Sequence, residues 1–209
     1  MKIRNLVLGI VAAGALVLIT EARANNVSGS LWEGIADNTP ADLAHLPGGA
    51  PDVTFTAPSP INFDSRVAPD GYTIGGWLTT GGGTILTGAG ESAKTIDDTF
   101  IYITGQVTVN SGQVFSLAHD DGLTLVINGQ TVVSAPDPTS PTVTSGTYSG
   151  PAGTWDFQLY YDEVMGPPAV LNVDLPLESP AVPDSGTTVA LLGMGLAGLA
   201  SLGRRIRVS

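Results

Sequence analysis

Residues 119–134 read HDDGLTLVINGQTVVS, and they set the architecture of the chain. Two β-rich runs, 123–127 (LTLVI) and 130–134 (QTVVS), flank Asn128-Gly129. Asn-Gly is the favoured pair for a two-residue type I′ turn, in which both central residues need positive φ and the twist matches that of paired strands. The stretch predicts an antiparallel hairpin entered through His119-Asp120-Asp121-Gly122. On its N-terminal side, 100–109 (FIYITGQVTV) alternates apolar and polar residues around a glycine, and 113–118 (QVFSLA) is a short strand. On its C-terminal side, 155–161 (WDFQLYY) alternates cleanly, and 169–175 follows a Gly166-Pro167-Pro168 break. Strands of this length and spacing predict an all-β fold, an antiparallel β-sandwich. Further upstream the pattern weakens. Residues 36–60, rich in Pro, Asp and Ala, read as long loops, and the glycine-rich 75–90 reads as an exposed loop.

The 209 residues include 27 Gly and 15 Pro, and many Thr and Val, a composition of strands and turns rather than helices. There is no cysteine, which excludes disulfides, zinc–thiolate centres and cysteine nucleophiles. The formal net charge is -11, and five of the eight basic residues (Lys2, Arg4, Arg204, Arg205, Arg207) lie in the termini. A sixth, Arg23, precedes the expected start of the mature chain, and the segment between keeps Arg66 and Lys94 against about seventeen carboxylates. Such a domain repels phosphate backbones, so nucleic acid is not expected as a partner. The carboxylate excess suits solubility, or a hard cation such as calcium.

Both ends read as addressing segments. Residues 1–24 have the three parts of a signal peptide: Lys2 and Arg4, an apolar run over 6–19, and the small-x-small site Ala22-Arg23-Ala24. Cleavage there starts the mature chain at Asn25 and leaves a sandwich domain over 25–180. At the other end Val182-Pro183-Asp184-Ser185-Gly186 precedes an uncharged run over 187–203, then Arg204, Arg205 and Arg207. That run is at the short end of what spans a bilayer as a transmembrane helix, and its glycines are tolerated in lipid. The arginines would remain cytoplasmic, placing the domain outside. The run has no polar face, which argues against a buried core helix.

Motif, apolar run and arginine cluster together resemble the PEP-CTERM class of bacterial sorting signals, in the variant that begins Val-Pro-Asp-Ser-Gly. The resemblance covers 182–209. It implies a Gram-negative-type cell, transient residence in the inner membrane, and recognition by an exosortase-type membrane protease that cuts near 183–186. Release to the cell surface or extracellular matrix would follow.

Catalytic constellations are not apparent. Residues 88–95 (GAGESAKT) lack the spacing of a phosphate-binding loop. His119 precedes Asp120, but neighbouring strand residues point to opposite faces, and no G-x-S-x-G elbow is present. His45, flanked by a Pro/Gly loop, reads as a surface residue. No enzyme is expected, with a small glycan hydrolase as a remote alternative, because a carboxylate pair cannot be read from sequence alone.

The Asp120-Asp121 pair has two readings from its residues. Two successive carboxylates on a turn repel unless solvated or bridged, and calcium prefers several hard oxygens that two Asp side chains and loop carbonyls can supply. Equally, Asp121-Gly122 can simply make a tight turn beside a solvated Asp120.

The longer string is more informative. Asp120-Asp121-Gly122, the Asn128-Gly129 turn and Tyr161-Asp162-Glu163-Val164-Met165-Gly166 resemble the protective-antigen N-terminal domain family. These are lectin-like β-sandwich modules of toxins, glycosidases and fungal flocculin adhesins. Leu31-Trp32-Glu33-Gly34 and Ile61-Asn62-Phe63-Asp64 resemble the family's opening segments. The resemblance implies that Asp120 and Asp121, often joined by a cis peptide in sugar-binding members, hold a calcium ion that ligates sugar hydroxyls. Asp162 and Glu163 are most simply strand-end residues. Trp77, Trp155 and Tyr148 could stack on a sugar, although strand aromatics are more often core. The expectation is an exported surface or matrix protein that binds carbohydrate through calcium. The alternative is a purely structural matrix component with no ligand site.

Overall fold

Alternation along the strands sorts side chains to two sides, and this builds the core. In the computed structural model, which describes residues 26–177, β5 (Thr99–Val109) turns Ile101, Ile103, Val107 and Val109 inward. Its neighbour β10 (Gly153–Glu163) contributes Phe157, Leu159 and Tyr161 to the same core. These two long strands pair over their full length, Gly153 opposite Val109 through Glu163 opposite Thr99. They are the centre of a seven-stranded antiparallel sheet. Its other members are β1 (Asn26–Glu33), β2 (Val53–Pro58), β4 (Thr84–Thr87), β7 (Leu123–Ile127) and β8 (Gln130–Ala135), in the order β4-β2-β1-β5-β10-β7-β8. A four-stranded sheet, β3-β11-β6-β9, comprises β3 (Ile61–Asp64), β6 (Gln113–His119), β9 (Thr142–Tyr148) and β11 (Val170–Val173). It adds Phe63, Phe115, Leu117, Leu171 and Val173 to the core between the sheets.

The hairpin forms as its turn demands: β7 pairs β8, and Asn128 and Gly129 take φ of 51° and 72°. The strands expected over 100–109, 113–118, 155–161 and 169–175 are β5, β6, β10 and β11.

Two upstream expectations are corrected. Residues 36–60 are not all loop, because β2 runs there with alternating burial and pairs with β1. Residues 75–90 are not an exposed loop. They hold most of a short helix, α1 (Ile74–Thr80), and all of β4. The helix forms despite poor propensity because Trp77 anchors it. That indole is buried against Phe63 and Tyr161, at ring distances of 4.5 and 5.8 Å, and its Nε1–H donates to the Ala169 carbonyl at 3.2 Å.

A smaller cluster lies on the outer side of the large sheet. The segment after β1 folds back so that Ala41 covers Phe100 and Tyr160, with Trp32, Ile35, Leu46, Tyr102 and Val126 packed around them.

The expected signal peptide and C-terminal helix lie outside the described residues. Among the described residues no helix is long and apolar enough to cross a membrane.

Candidate functional site

Asp120, Asp121 and Gly122 form the link by which the chain leaves the small sheet at the end of β6 and enters the large sheet at β7. Each backbone N–H of the link is fixed. Asp120 N–H donates to the Val170 carbonyl at 2.9 Å, Asp121 N–H to the Thr139 carbonyl at 2.8 Å, and Gly122 N–H to Asp162 Oδ1. Gly122 is required by close approach, since a Cβ there would strike the Pro136 carbonyl and the Asp162 carboxylate. Asp121 is held at a φ of +61°, a left-handed conformation that few non-glycine residues adopt. Its Oδ2 accepts from Val164 N–H at 2.8 Å, tying the link to the end of β10.

His119 stabilises this turn from behind and has no free valence for catalysis. It is fully buried, and Nδ1 lies 2.7 Å from the Asp121 carbonyl, which can only accept, so Nδ1 carries the proton. Nε2 then accepts from the Thr144 hydroxyl at 2.8 Å, and burial keeps the ring neutral by lowering its pKa. His45 is exposed, with Nδ1 2.7 Å from Asp42.

The link floors an open cavity of about 480 Å³, walled by residues 138–141 and by Met165, Gly166, Pro167 and Pro168. Met165, 71% exposed, has a φ of +84°, so two of the four described non-glycine residues with positive φ border this one cavity. Clustered backbone outliers of this kind point to a site.

Electrostatically the cavity floor is acidic and poorly compensated. Asp120 and Asp121 are 4% and 6% exposed. Burial raises both to about 6, Asp120 further through the charge of Asp121. Behind them Asp162 and Glu163 are fully buried, raised by burial to about 7 and about 10. Glu163 accepts from the Tyr161 hydroxyl at 2.8 Å and the Tyr72 hydroxyl at 3.4 Å. Asp120 Oδ2 and Asp162 Oδ2 are buried without a hydrogen-bond partner. The positive charge whose field reaches Asp120 is Arg66, which forks onto Asp64 at 2.7 and 2.8 Å.

This donor set consists of hard carboxylate oxygens and fits a cation such as calcium better than a softer metal. Among the described residues no group of three or more His, Asp or Glu is arranged to hold a metal. A cation at Asp120 and Asp121 would therefore complete its shell with main-chain carbonyls, water and ligand hydroxyls.

Sequence reasoning singled out Asp120 and Asp121, which the fold does bring to a cavity. It treated Asp162 and Glu163 as strand-end residues. They do end β10, but fully buried beneath the link. The signal was the acidic pair closing an otherwise alternating strand. Among the described residues the cis peptide bonds are at Ser59–Pro60 and Pro167–Pro168, so the Asp120–Asp121 bond is not one of them. Trp77 and Tyr148 are core residues, and Trp155 is partly buried, its Nε1–H donating to the Pro151 carbonyl at 3.0 Å.

Comparison with known proteins agrees at both ends of this description. Residues 181–206 match the VPDSG-CTERM motif. The motif carries the residues proposed for processing, Val182 to Gly186 with Arg204 and Arg205, and is that of an exported, surface-sorted protein. Among solved structures the fold is similar to the PA14 sugar-binding domain from an RTX adhesin. The TM-score is 0.53 at 18% identity, over 72% of this chain and 87% of that one. It is also similar to the PA14 domain of the MpAFP antifreeze protein, with a TM-score of 0.54 at 22% identity, over 75% and 84% of the two chains. At these identities the likeness concerns the fold. No curated protein matches the chain.

Proposed function

We propose that the chain is a non-enzymatic, exported surface or matrix protein whose sandwich binds carbohydrate at the crossover link, assisted by calcium held by Asp120 and Asp121. One observation carries this reading. Two adjacent carboxylates are buried at the floor of an open cavity, and Asp120 Oδ2 has no partner there. Uncompensated charge in such a place is costly unless a cation or proton neutralises it. Calcium would supply that charge and could accept sugar hydroxyls as further ligands. The chain's own part is rigidity, because the bond of Asp120 to Val170 and those of Asp121 to Thr139 and Val164 hold both Asp residues before any ligand arrives.

The likeness to a sugar-binding domain of an adhesin supports the choice of ligand class, and the VPDSG-CTERM motif supports the place of action. The same motif supports an exosortase-type protease as processing partner and a precursor anchored in the inner membrane.

Two measurements test the reading together. A ligand that binds only the folded state raises the melting temperature by mass action. Millimolar calcium should therefore stabilise the protein and leave the Asp120→Ala variant unmoved. A glycan array probed with and without calcium should show binding that calcium chelation abolishes. A melting temperature indifferent to calcium in both proteins, with no glycan retained, would leave the sandwich as a structural component.

A further inference from the structure

The outer face of the large sheet carries chemistry that the crossover site does not use. Register places Ser28, Thr104, Gln158 and Val126 in one row across β1, β5, β10 and β7, and Ser30, Tyr102, Tyr160 and Thr124 in the next. Gln106 lies opposite Asp156 one row further along. Side chains directly opposite one another share a face. Tyr160 and Thr124 are buried, but Ser28, Tyr102, Thr104, Gln106 and Gln158 are exposed or partly so and present hydroxyls, carboxamides and a phenol ring, with Asp156 the exposed charge among them.

The groups are already ordered by one another. Gln158 Nε2 donates to the Tyr102 hydroxyl at 2.9 Å, and the Tyr160 hydroxyl donates to Gln158 Oε1 at 3.2 Å. Gln106 Nε2 donates to Asp156 Oδ1 at 3.0 Å. Tyr102, half-buried, rests on Tyr160 with ring centroids 5.2 Å apart. Two shallow cavities, of about 360 and 450 Å³, share Asp156 and Gln158. One reaches over β5 to Tyr102 and Gln106, the other over β7 to Val126 and Asn128. The covering segment packs Ile35 and Leu46 against the same cluster that Tyr102 and Val126 border.

We propose that this face is a second carbohydrate surface, independent of any cation, that takes a neutral, extended polysaccharide across β5, β10 and β7. Ordered amides and hydroxyls can exchange hydrogen bonds with sugar hydroxyls without further loss of side-chain freedom, and a partly exposed phenol ring offers a stacking face. Strands about 4.8 Å apart present the next side chain of a row at roughly the length of one pyranose ring. The charge balance selects against polyanions, because the chain carries a net charge of -11 and this face adds Asp156 and no cation. Its two cavities share no lining residue with the cavity at Asp120 and Asp121, so the proposal stands or falls separately from the calcium reading.

Titration calorimetry of the full chain with cellohexaose, in excess EDTA, tests the proposal. Binding should persist in EDTA and weaken about fivefold to tenfold in Gln158→Ala and in the exposed Gln106→Ala, in proportion to the hydrogen bonds lost. Polygalacturonate, an anionic comparator, should not bind in EDTA. Should Gln158→Ala fail to fold, Gln106→Ala alone decides. Absence of cellohexaose binding in EDTA, equal affinity in a folded Gln106→Ala, or equal binding of polygalacturonate would each overturn it.

Discussion

Burial pushes every carboxylate beneath the crossover link in one direction. Asp120 and Asp121 rise to about 6, Asp162 to about 7 and Glu163 to about 10. A carboxyl whose folded pKa lies above its unfolded value binds more protons when folded, so stability declines as pH rises from the unfolded value through the folded one. For Asp120 and Asp121 that window runs from 3.8 to about 6, and for Asp162 to about 7. Asp64 and His119 act oppositely. Asp64, lowered by its hydrogen bond to Arg66, loses its contribution only below the usual carboxylate range. His119, lowered by burial, adds stability as pH rises toward 6.5, one group against the four carboxyls. Without calcium the melting temperature should therefore fall between pH 5 and pH 8. Calcium should raise it more at pH 8, since the cation binds the deprotonated form. A calorimetric melt at both pH values, with and without calcium, checks the sign, and equal calcium shifts at pH 5 and pH 8 would contradict it. Glu163 extends the same argument upward, its window running from 4.5 to about 10. It is neutral at pH 7 and accepts from Tyr161, an arrangement that glutamine can reproduce. Glu163→Gln should stabilise the protein at pH 7, because glutamine need not take up the proton that the folded carboxyl must, and should reduce the loss of urea midpoint between pH 7 and pH 10. A loss as steep as in the unsubstituted protein would show that Glu163 is not the group titrating.

The hairpin and the link that enters it respond to substitution for different reasons. Gly129, with a φ of +72°, has open space where a Cβ would go, so Gly129→Ala meets only the left-handed backbone penalty, about 1 kcal/mol. Gly122→Ala meets the Pro136 carbonyl and the Asp162 carboxylate, both fixed, and should cost more, about 2 kcal/mol, while loosening the Asp120-Asp121 turn. Urea denaturation of the two variants should rank them in that order, and the reverse ranking would mean that the link is free to relax. The contrast also explains what was legible in the sequence. Asn128-Gly129, β5 and β10 were readable because alternation and turn chemistry are local. The strand β2 alternates too, VTFTAP with buried Val53, Phe55 and Ala57, but a loop-like neighbourhood and its terminal Pro58 obscured it. The helix α1, IGGWLTT, has no helical period, and its existence rests on where Trp77 packs. The acidic pair of the link was visible as residues. Its buried support was not, because Asp162 and Val164 reach Gly122 and Asp121 across 40 and 43 residues of chain.

In the whole molecule, a sandwich with a link cavity and an amide-rich outer face precedes a sorting motif over 181–206. The proposed route has the chain held transiently at the inner membrane and then freed near the Val182-Pro183-Asp184-Ser185-Gly186 segment, carrying the domain to the surface. The sequence provides its own reporter for this step. No Lys or Arg lies between Lys94 and Arg204, so trypsin yields one peptide over 95–204 from an unprocessed chain. A processed chain yields instead a shorter peptide that begins at Thr95 and ends close to Gly186, without a basic terminus. Mass spectrometry of the surface-released fraction should find only the shorter peptide, while the membrane fraction retains some of the longer. Replacing Pro183 and Asp184 with alanine should shift the balance toward the 95–204 peptide and hold the domain at the membrane. Recovery of that longer peptide from released protein would show that the domain reaches the surface with its tail intact, and would remove protease processing from the proposed route.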